Sequence, residues 1–234
     1  SVRHRSACGA STTAAPRFRR RPVRVPAPWT DPPVSELLLQ QFARFPEPGA
    51  VKTRLARALG AGAACAVHEE LVTMTARTLL AAGLGPVELW LDCHPGDHAL
   101  LSGLIASGAR GPFVQRGPEL GARMYHALVD GRRRASAVLL VGSDCPGIDV
   151  AYLREAAAAL RSHDVVLGPA EDGGYVLIGA HTPDRALFSG IPWGTGEVLA
   201  ATLAAAAESG LTVARLAPRF DIDDEADYRR WRAG

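Results

Sequence analysis

Lysine is almost absent from this chain of 234 residues: of 26 basic side chains, 25 are arginine and one, Lys52, is lysine. A coding bias towards arginine accounts for the 25. It also marks position 52 as a place where a compact, rotatable point charge serves and a broad planar fork does not. The plainer reading of Lys52 is a solvated surface residue. Cysteine is sparse too. Cys8, Cys65, Cys93 and Cys145 form no C-x-x-C pair and no dense framework, which excludes a disulfide scaffold and reads as reduced thiols in a cytoplasmic protein. No apolar run reaches the roughly 18 residues of a membrane span, so no membrane association is expected. The early arginines are not followed by an apolar segment, so a secretory signal is not expected. There is no G-x-x-x-x-G-K and no G-x-S-x-G, so neither a Walker loop nor a serine-hydrolase elbow is present.

What is present is 47% hydrophobic and 21% charged residues, ordinary globular composition. The net charge of +2 is unevenly spread. Arg3, Arg5, Arg17, Arg19, Arg20, Arg21 and Arg24 give residues 1–30 a charge of +7, while the remainder holds 19 basic against 24 acidic side chains, or −5. An acidic body argues against nucleic acid as a partner. Residues 1–35 mix Arg, Pro, Ser, Thr and Ala without periodicity, and are expected to be a disordered, dispensable leader. Residues 36–234 are expected to form one domain.

The body alternates. Strands are expected over 37–42, 87–91, 113–115, 138–141, 165–167, 175–178 and 213–216. Helices are expected over 52–82 (broken near Gly60), 97–107, 119–133, 150–162, 195–209 and from Glu225 onwards. This order predicts an α/β fold with a mostly parallel sheet flanked by helices on both faces. Ligands of such sheets gather at the carboxyl ends of the strands.

Four segments there carry unusual residues. In the first, the 37–42 strand runs through Arg44 and a Pro/Gly turn ending at Gly49 into a helix start bearing Lys52, Thr53 and Arg54. Backbone amides and clustered cations suit phosphate. In the second, Asp144 of Gly142-Ser143-Asp144-Cys145-Pro146 stands just beyond an apolar strand, as a hard oxygen ligand for Mg²⁺ or Mn²⁺ would; a turn-forming Asp-x-Pro is the alternative. The third, Glu171-Asp172-Gly173-Gly174-Tyr175, is either a hairpin turn or a close approach of backbone to ligand, with the two acids free to position an acceptor or a second metal. In the fourth, Asp221 and Asp223 share one face of an extended segment; one of Asp223 and Asp224 caps the last helix, and Asp223 is a candidate metal ligand. Cys93, His94 and His98 hold metal-ligating types, but Pro95 and Gly96 break the helical register a zinc pair would need.

Read together, F-A-R-F-P-E-P-G-A-V-K-T-R-L, G-S-D-C-P, L-G-P-A-E-D-G-G-Y-V-L-I-G, I-P-W-G-T and D-I-D-D-E-A-D resemble, in order over about 37–232, the radical-SAM/selenodomain-associated transferase family. That family is often labelled a glycosyltransferase, in some cases of arsenosugar biosynthesis. The resemblance implies a GT-A-like, Rossmann-related fold of the nucleotide-diphospho-sugar transferase kind, and more distantly looks like guanylyl- and cytidylyltransferases. It implies a metal-dependent transferase acting on a nucleotide-activated donor and a small-molecule acceptor. Glycosyl transfer from a nucleotide sugar is the leading expectation, nucleotidyl transfer from a triphosphate the alternative, and a non-catalytic nucleotide-binding domain the second alternative. By motif, Arg44, Gly49, Lys52, Thr53 and Arg54 would hold donor phosphates, and Asp144 and Asp223 the metal. Gly173, Gly174, Tyr175, Trp193 and Thr195 would line the acceptor side, and Lys52, Asp144 and Asp172 would be catalytic. Ser143 stands where many glycosyltransferases carry the first Asp of D-x-D, as in nucleotidyltransferases, and Asp224 stands where the family favours threonine.

Overall fold

The computed structural model describes residues 35–233. The leader expected over 1–35 lies outside the described residues, apart from Ser35, which already belongs to the first strand. The elements run β1 (Ser35–Ala43), α1 (Thr53–Leu59), α2 (Ala61–Ala82), β2 (Val87–Leu91), α3 (Ala99–Ala106), β3 (Arg110–Val114), α4 (Leu120–Gly131), β4 (Ala135–Gly142), α5 (Val150–Ala159), β5 (Val165–Pro169), β6 (Tyr175–Ala180), a 3₁₀ turn (Arg185–Phe188), α6 (Val198–Glu208), β7 (Val213–Arg215) and α7 (Glu225–Ala233). The strands make one seven-stranded sheet in the order β3-β2-β1-β4-β6-β5-β7. All neighbours are parallel except β6, which is antiparallel to both β4 and β5.

The period of two along β1 explains the layering. Leu37 and Leu39 face α2 and α5, meeting Leu79, Tyr152, Leu153 and Ala156. Leu38, between them, faces α4 and α6, meeting Met124, Leu128 and Ala206. Both sheet faces are therefore covered, and the strands read as apolar runs rather than as alternations. Each leucine so buried contributes about 1.5–3 kcal/mol. The buried carboxylate of Glu88 is satisfied by Arg134 at 2.8 Å and by Trp90 Nε1 at 3.0 Å, which makes it a structural ion pair near the amino ends of the strands.

The differences from the expected elements sit at their ends. α6 begins at Val198 rather than Thr195, because the Thr195 hydroxyl bonds Pro192 O and Glu197 N in a turn outside the helix. The 3₁₀ turn, capped by Asp184 through Ala186 N at 2.8 Å, has no apolar period to announce it. Among the described residues no helix is long and apolar enough to cross a membrane.

The chain leaves β1 towards β2 and β3, then returns to place β4 on the other side of β1. That reversal opens a crevice beyond the carboxyl ends of β1 and β4, where open α/β sheets bind ligands.

Candidate active site

A cleft of about 670 Å³ lies at this switch point, within the size range of small-molecule sites. Arg44, Lys52, Thr53 and Arg54 enter it from the β1–α1 connection, Asp144 from the end of β4, and Asp221 and Asp223 from the segment before α7. Residues nearly 180 positions apart thus meet in one place.

Lys52 is at the centre. Its side chain is 5% exposed; Nζ lies 2.6 Å from Asp144 Oδ1 and 3.7 Å from Asp223 Oδ1, and donates to Ile222 O at 2.6 Å. It is also the one non-glycine among the described residues with positive φ, 47°. A side chain rarely adopts that left-handed backbone, which costs on the order of 1–3 kcal/mol, and the three contacts hold it there. Ile222 N donates back to Asp144 O at 2.9 Å, so the peptide units on both sides of Ile222 are clamped and Asp221 and Asp223 flank the clamp. Arg54 reaches Asp223 at 3.4 Å, and Arg44 reaches Asp92 at 3.3 Å; these two guanidiniums are 68% and 62% exposed and stay open to the cleft. Arg123, from α4, adds a third, anchored through Nε on Gly117 O at 3.1 Å.

Asp221 is pushed up to about 6, first by burial and then by Asp172, Asp223 and Asp144. Asp144 Oδ1 is sealed from solvent and is ion-paired at 2.6 Å with the Lys52 ammonium, whose three N–H groups let it serve Ile222 O at the same time. Among the described residues no three His, Cys, Asp or Glu side chains already converge as a metal group does. Lys52 lies between Asp144 and Asp223 instead.

The ambiguity between Asp223 and Asp224 resolves by geometry. Asp224 Oδ1 accepts from Ala226 N and Asp227 N, and Asp227 Oδ2 reaches back to the amides of Asp223 and Asp224. This reciprocal cap fixes the start of α7 and leaves the Asp223 carboxylate to the cleft. Ser143 is equally well defined: it donates to Phe42 O at 2.7 Å and accepts from Gln41 Nε2 at 2.9 Å. A carboxylate at 143 would face the Phe42 carbonyl in a buried position, so the strand ends here accommodate a hydroxyl strut and one acid, not two.

The segment 171–174 stands beside the cleft rather than in its wall, and Tyr175 is the part of it that lines the wall. Glu171 is paired with Arg230 of α7 at 2.6 Å. Asp172 Oδ1 accepts from Gly174 N at 2.9 Å, closing its own turn. Burial holds the Tyr175 phenol above its ordinary range, and Trp193 packs edge-on against its ring at 6.1 Å. Thr195 and Gly49 are exposed turn residues. Of the Cys93, His94 and His98 trio, His98 lies 3.6 Å from Glu69.

Gly173 has a packing reason to be glycine. Its φ is +91°, and a Cβ there would fall 2.1 Å from Gly196 O. Gly173→Ala is expected to cost about 1–3 kcal/mol of stability, lowering the melting temperature by roughly 2–4 °C per kcal/mol. Unchanged melting with altered substrate kinetics would instead assign this glycine to ligand approach.

His68, Gln115, Arg123 and Asp92 also line the cleft, and none of them belongs to the four segments that the sequence marks. No motif spacing points to them, and only the fold brings α2, α4 and the ends of β2 and β3 to this point.

A structure from Desulfovibrio desulfuricans G20, described as a candidate nucleotide-diphospho-sugar transferase, is similar at 31% identity, TM-score 0.74, over 84% of this chain and 86% of that one. A 4-diphosphocytidyl-2C-methyl-D-erythritol synthase from Anaerococcus prevotii is similar in fold at 9% identity and TM-score 0.54, over 85% and 97% of the two chains. A nucleotidyl transferase from Methanothermobacter is similar in fold at 19% identity and TM-score 0.54, over 85% and 96%. No curated protein matches. The family model described as an uncharacterized protein conserved in bacteria, DUF2064, matches residues 75–195. By this match and the 31% identity to the Desulfovibrio protein, the chain belongs to the DUF2064 family.

Proposed function

We propose that the protein is a metal-dependent transferase that binds a nucleotide-activated donor in the cleft beyond β1 and β4. The observation that carries this reading is the pairing, in one cleft, of four carboxylates with three guanidiniums and the Lys52 ammonium. Such a site takes a polyanion through its cations and through a divalent ion together. The donor set fits a hard divalent ion, Mg²⁺ or Mn²⁺: the carboxylates of Asp144 and Asp223 gather around one point beside Lys52, and the cap of α7 is supplied by Asp224, which leaves Asp223 free for a ligand. Asp144 and Asp223 would hold the ion, which when bound would neutralise phosphate charge.

The chain's own residues do the rest. Arg44, Arg54 and Arg123 grip phosphate oxygens, with Thr53 at the α1 start beside them. Lys52 keeps the two carboxylates together between ligand visits and adds positive charge where a diphosphate gathers negative charge. Tyr175, backed by Trp193, and the 172–174 turn with Thr195 frame the acceptor side. The unpaired thiols of Cys65, Cys93 and Cys145 fit a cytoplasmic setting.

Glycosyl transfer from a nucleotide sugar is the first reading, supported by the likeness to the Desulfovibrio protein and by the motif resemblance to the radical-SAM-associated transferases. Nucleotidyl transfer is the second, supported by Ser143, whose strut role leaves a single acid at the end of β4. Separate pools of nucleotide sugars and nucleoside triphosphates, incubated with Mg²⁺ or Mn²⁺, distinguish them. Release of nucleoside diphosphate from a sugar donor is the expected result. Pyrophosphate from a triphosphate, with every nucleotide sugar untouched, would establish the second reading. No turnover with any donor, but metal-dependent nucleotide binding, would mean a binding domain.

A further inference from the structure

One nitrogen in the cleft wall has no partner. His68 projects from α2 with its side chain 4% exposed, and its Nε2 lies 3.0 Å from the Arg44 carbonyl oxygen. A carbonyl only accepts, so Nε2 carries the proton, and in the neutral ring Nδ1 is left with a lone pair. That Nδ1 is sealed from solvent and has no hydrogen-bond partner. It lies 3.9 Å from Asp144 Oδ1, a sealed carboxylate oxygen whose near partner is the Lys52 ammonium.

We infer that His68 Nδ1 is, with Asp144 Oδ1, a ligand of the divalent cation of this cleft, and that the nitrogen selects an ion such as Mn²⁺ or Co²⁺ over Mg²⁺. The inference rests on the metal-dependent reading of the site. A separation of 3.9 Å is too long for a hydrogen bond. It is within the span of one ion, since ligand atoms stand about 2.1 Å from Mg²⁺ or a first-row divalent metal. Asp144, Asp221 and Asp223 share this side of the cleft with Lys52 and Arg54, three carboxylates to two cations. The orientation of the ring is also that of a ligand. Metal-binding histidines donate their second ring N–H to a carbonyl or carboxylate, which fixes the tautomer, and the Arg44 carbonyl does this for His68. Imidazole nitrogen suits first-row transition ions, whereas Mg²⁺ prefers an all-oxygen shell. The same hydrogen bond ties the ion to the backbone of Arg44, so occupation of the site would also steady the loop that carries a phosphate-gripping guanidinium.

The test is a Mn²⁺ titration of the full chain with inorganic pyrophosphate, which contains no nitrogen, followed by electron spin-echo spectroscopy. The expected result is a ¹⁴N modulation that changes to the ¹⁵N pattern when the protein is made with ¹⁵N-histidine. No substitution is needed for that reading. His68→Gln supplies the second measurement, because its amide can still donate to Arg44 O while Nδ1 is gone. It should melt like the parent, lose the histidine coupling and weaken Mn²⁺ at least about tenfold, with Mg²⁺ binding unchanged. Mn²⁺ bound in an Asp144-dependent way, with no histidine nitrogen coupled, overturns the role of His68 and leaves the metal reading standing. No Mn²⁺ binding overturns both.

Discussion

Asp144→Asn is expected to abolish cation-dependent nucleotide binding and to lower product formation by roughly 10²–10³-fold, the scale on which loss of one electrostatic stabiliser acts. The amide keeps the shape of the carboxyl but offers a neutral oxygen to a hard ion. The fold should survive, because the side chain is 47% exposed and the backbone bond from Ile222 N to Asp144 O is untouched. Calorimetric titration of a nucleoside diphosphate with and without Mg²⁺, alongside a thermal melt, separates the two effects. A variant that binds nucleotide with the parent's metal dependence would remove Asp144 from the metal site.

Lys52→Met is expected to act on stability as well as on turnover. Methionine keeps most of the stem and deletes the ammonium, leaving Asp144 and Asp223 facing each other and Ile222 O without its donor. Breaking a fully buried pair by removing one partner costs about 3–5 kcal/mol. Here both carboxylates are more than a third exposed, and solvent screening brings the expected loss to about 1–3 kcal/mol. The left-handed backbone strain at 52 would remain with less to hold it. Lys52→Arg should recover little, since a fork cannot occupy one point 2.6 Å from both Asp144 Oδ1 and Ile222 O. Melting within a degree of the parent for both variants, with full activity, would return Lys52 to an ordinary surface charge.

Much of this architecture is legible in the order of residues. The run at 138–141 is apolar throughout and that at 87–91 is apolar but for Glu88, because helices cover both faces of the sheet, and the break at Gly60 falls between two helices. Lys52 stands out by scarcity alone, but scarcity cannot convey that its ammonium faces two carboxylates and a carbonyl. The choice between Asp223 and Asp224 is closed in the sequence and open in space: adjacent acids look equivalent until the cap shows which one serves the helix. Ser143 reads as a missing acid, yet its burial against Phe42 and Gln41 explains why a hydroxyl stands there. His68 is illegible for a different reason. It lies within an alanine- and leucine-rich helix at no motif spacing, and its meaning depends on an aspartate 76 positions away.

The clamp on Ile222 has a consequence for synthesis. A nascent chain that has released β1 to β6 already holds Arg44, Lys52, Arg54 and Asp144, but Asp221 and Asp223 are still to be translated. Until residues 221–223 emerge, Lys52 has one acidic partner rather than two, lacks its carbonyl acceptor, and sits in a backbone conformation it disfavours. The β1–α1 loop should therefore be the last part of the sheet's rim to settle on the ribosome. Stalled chains ending before residue 221 should show that loop open to protease while β1 to β4 resist.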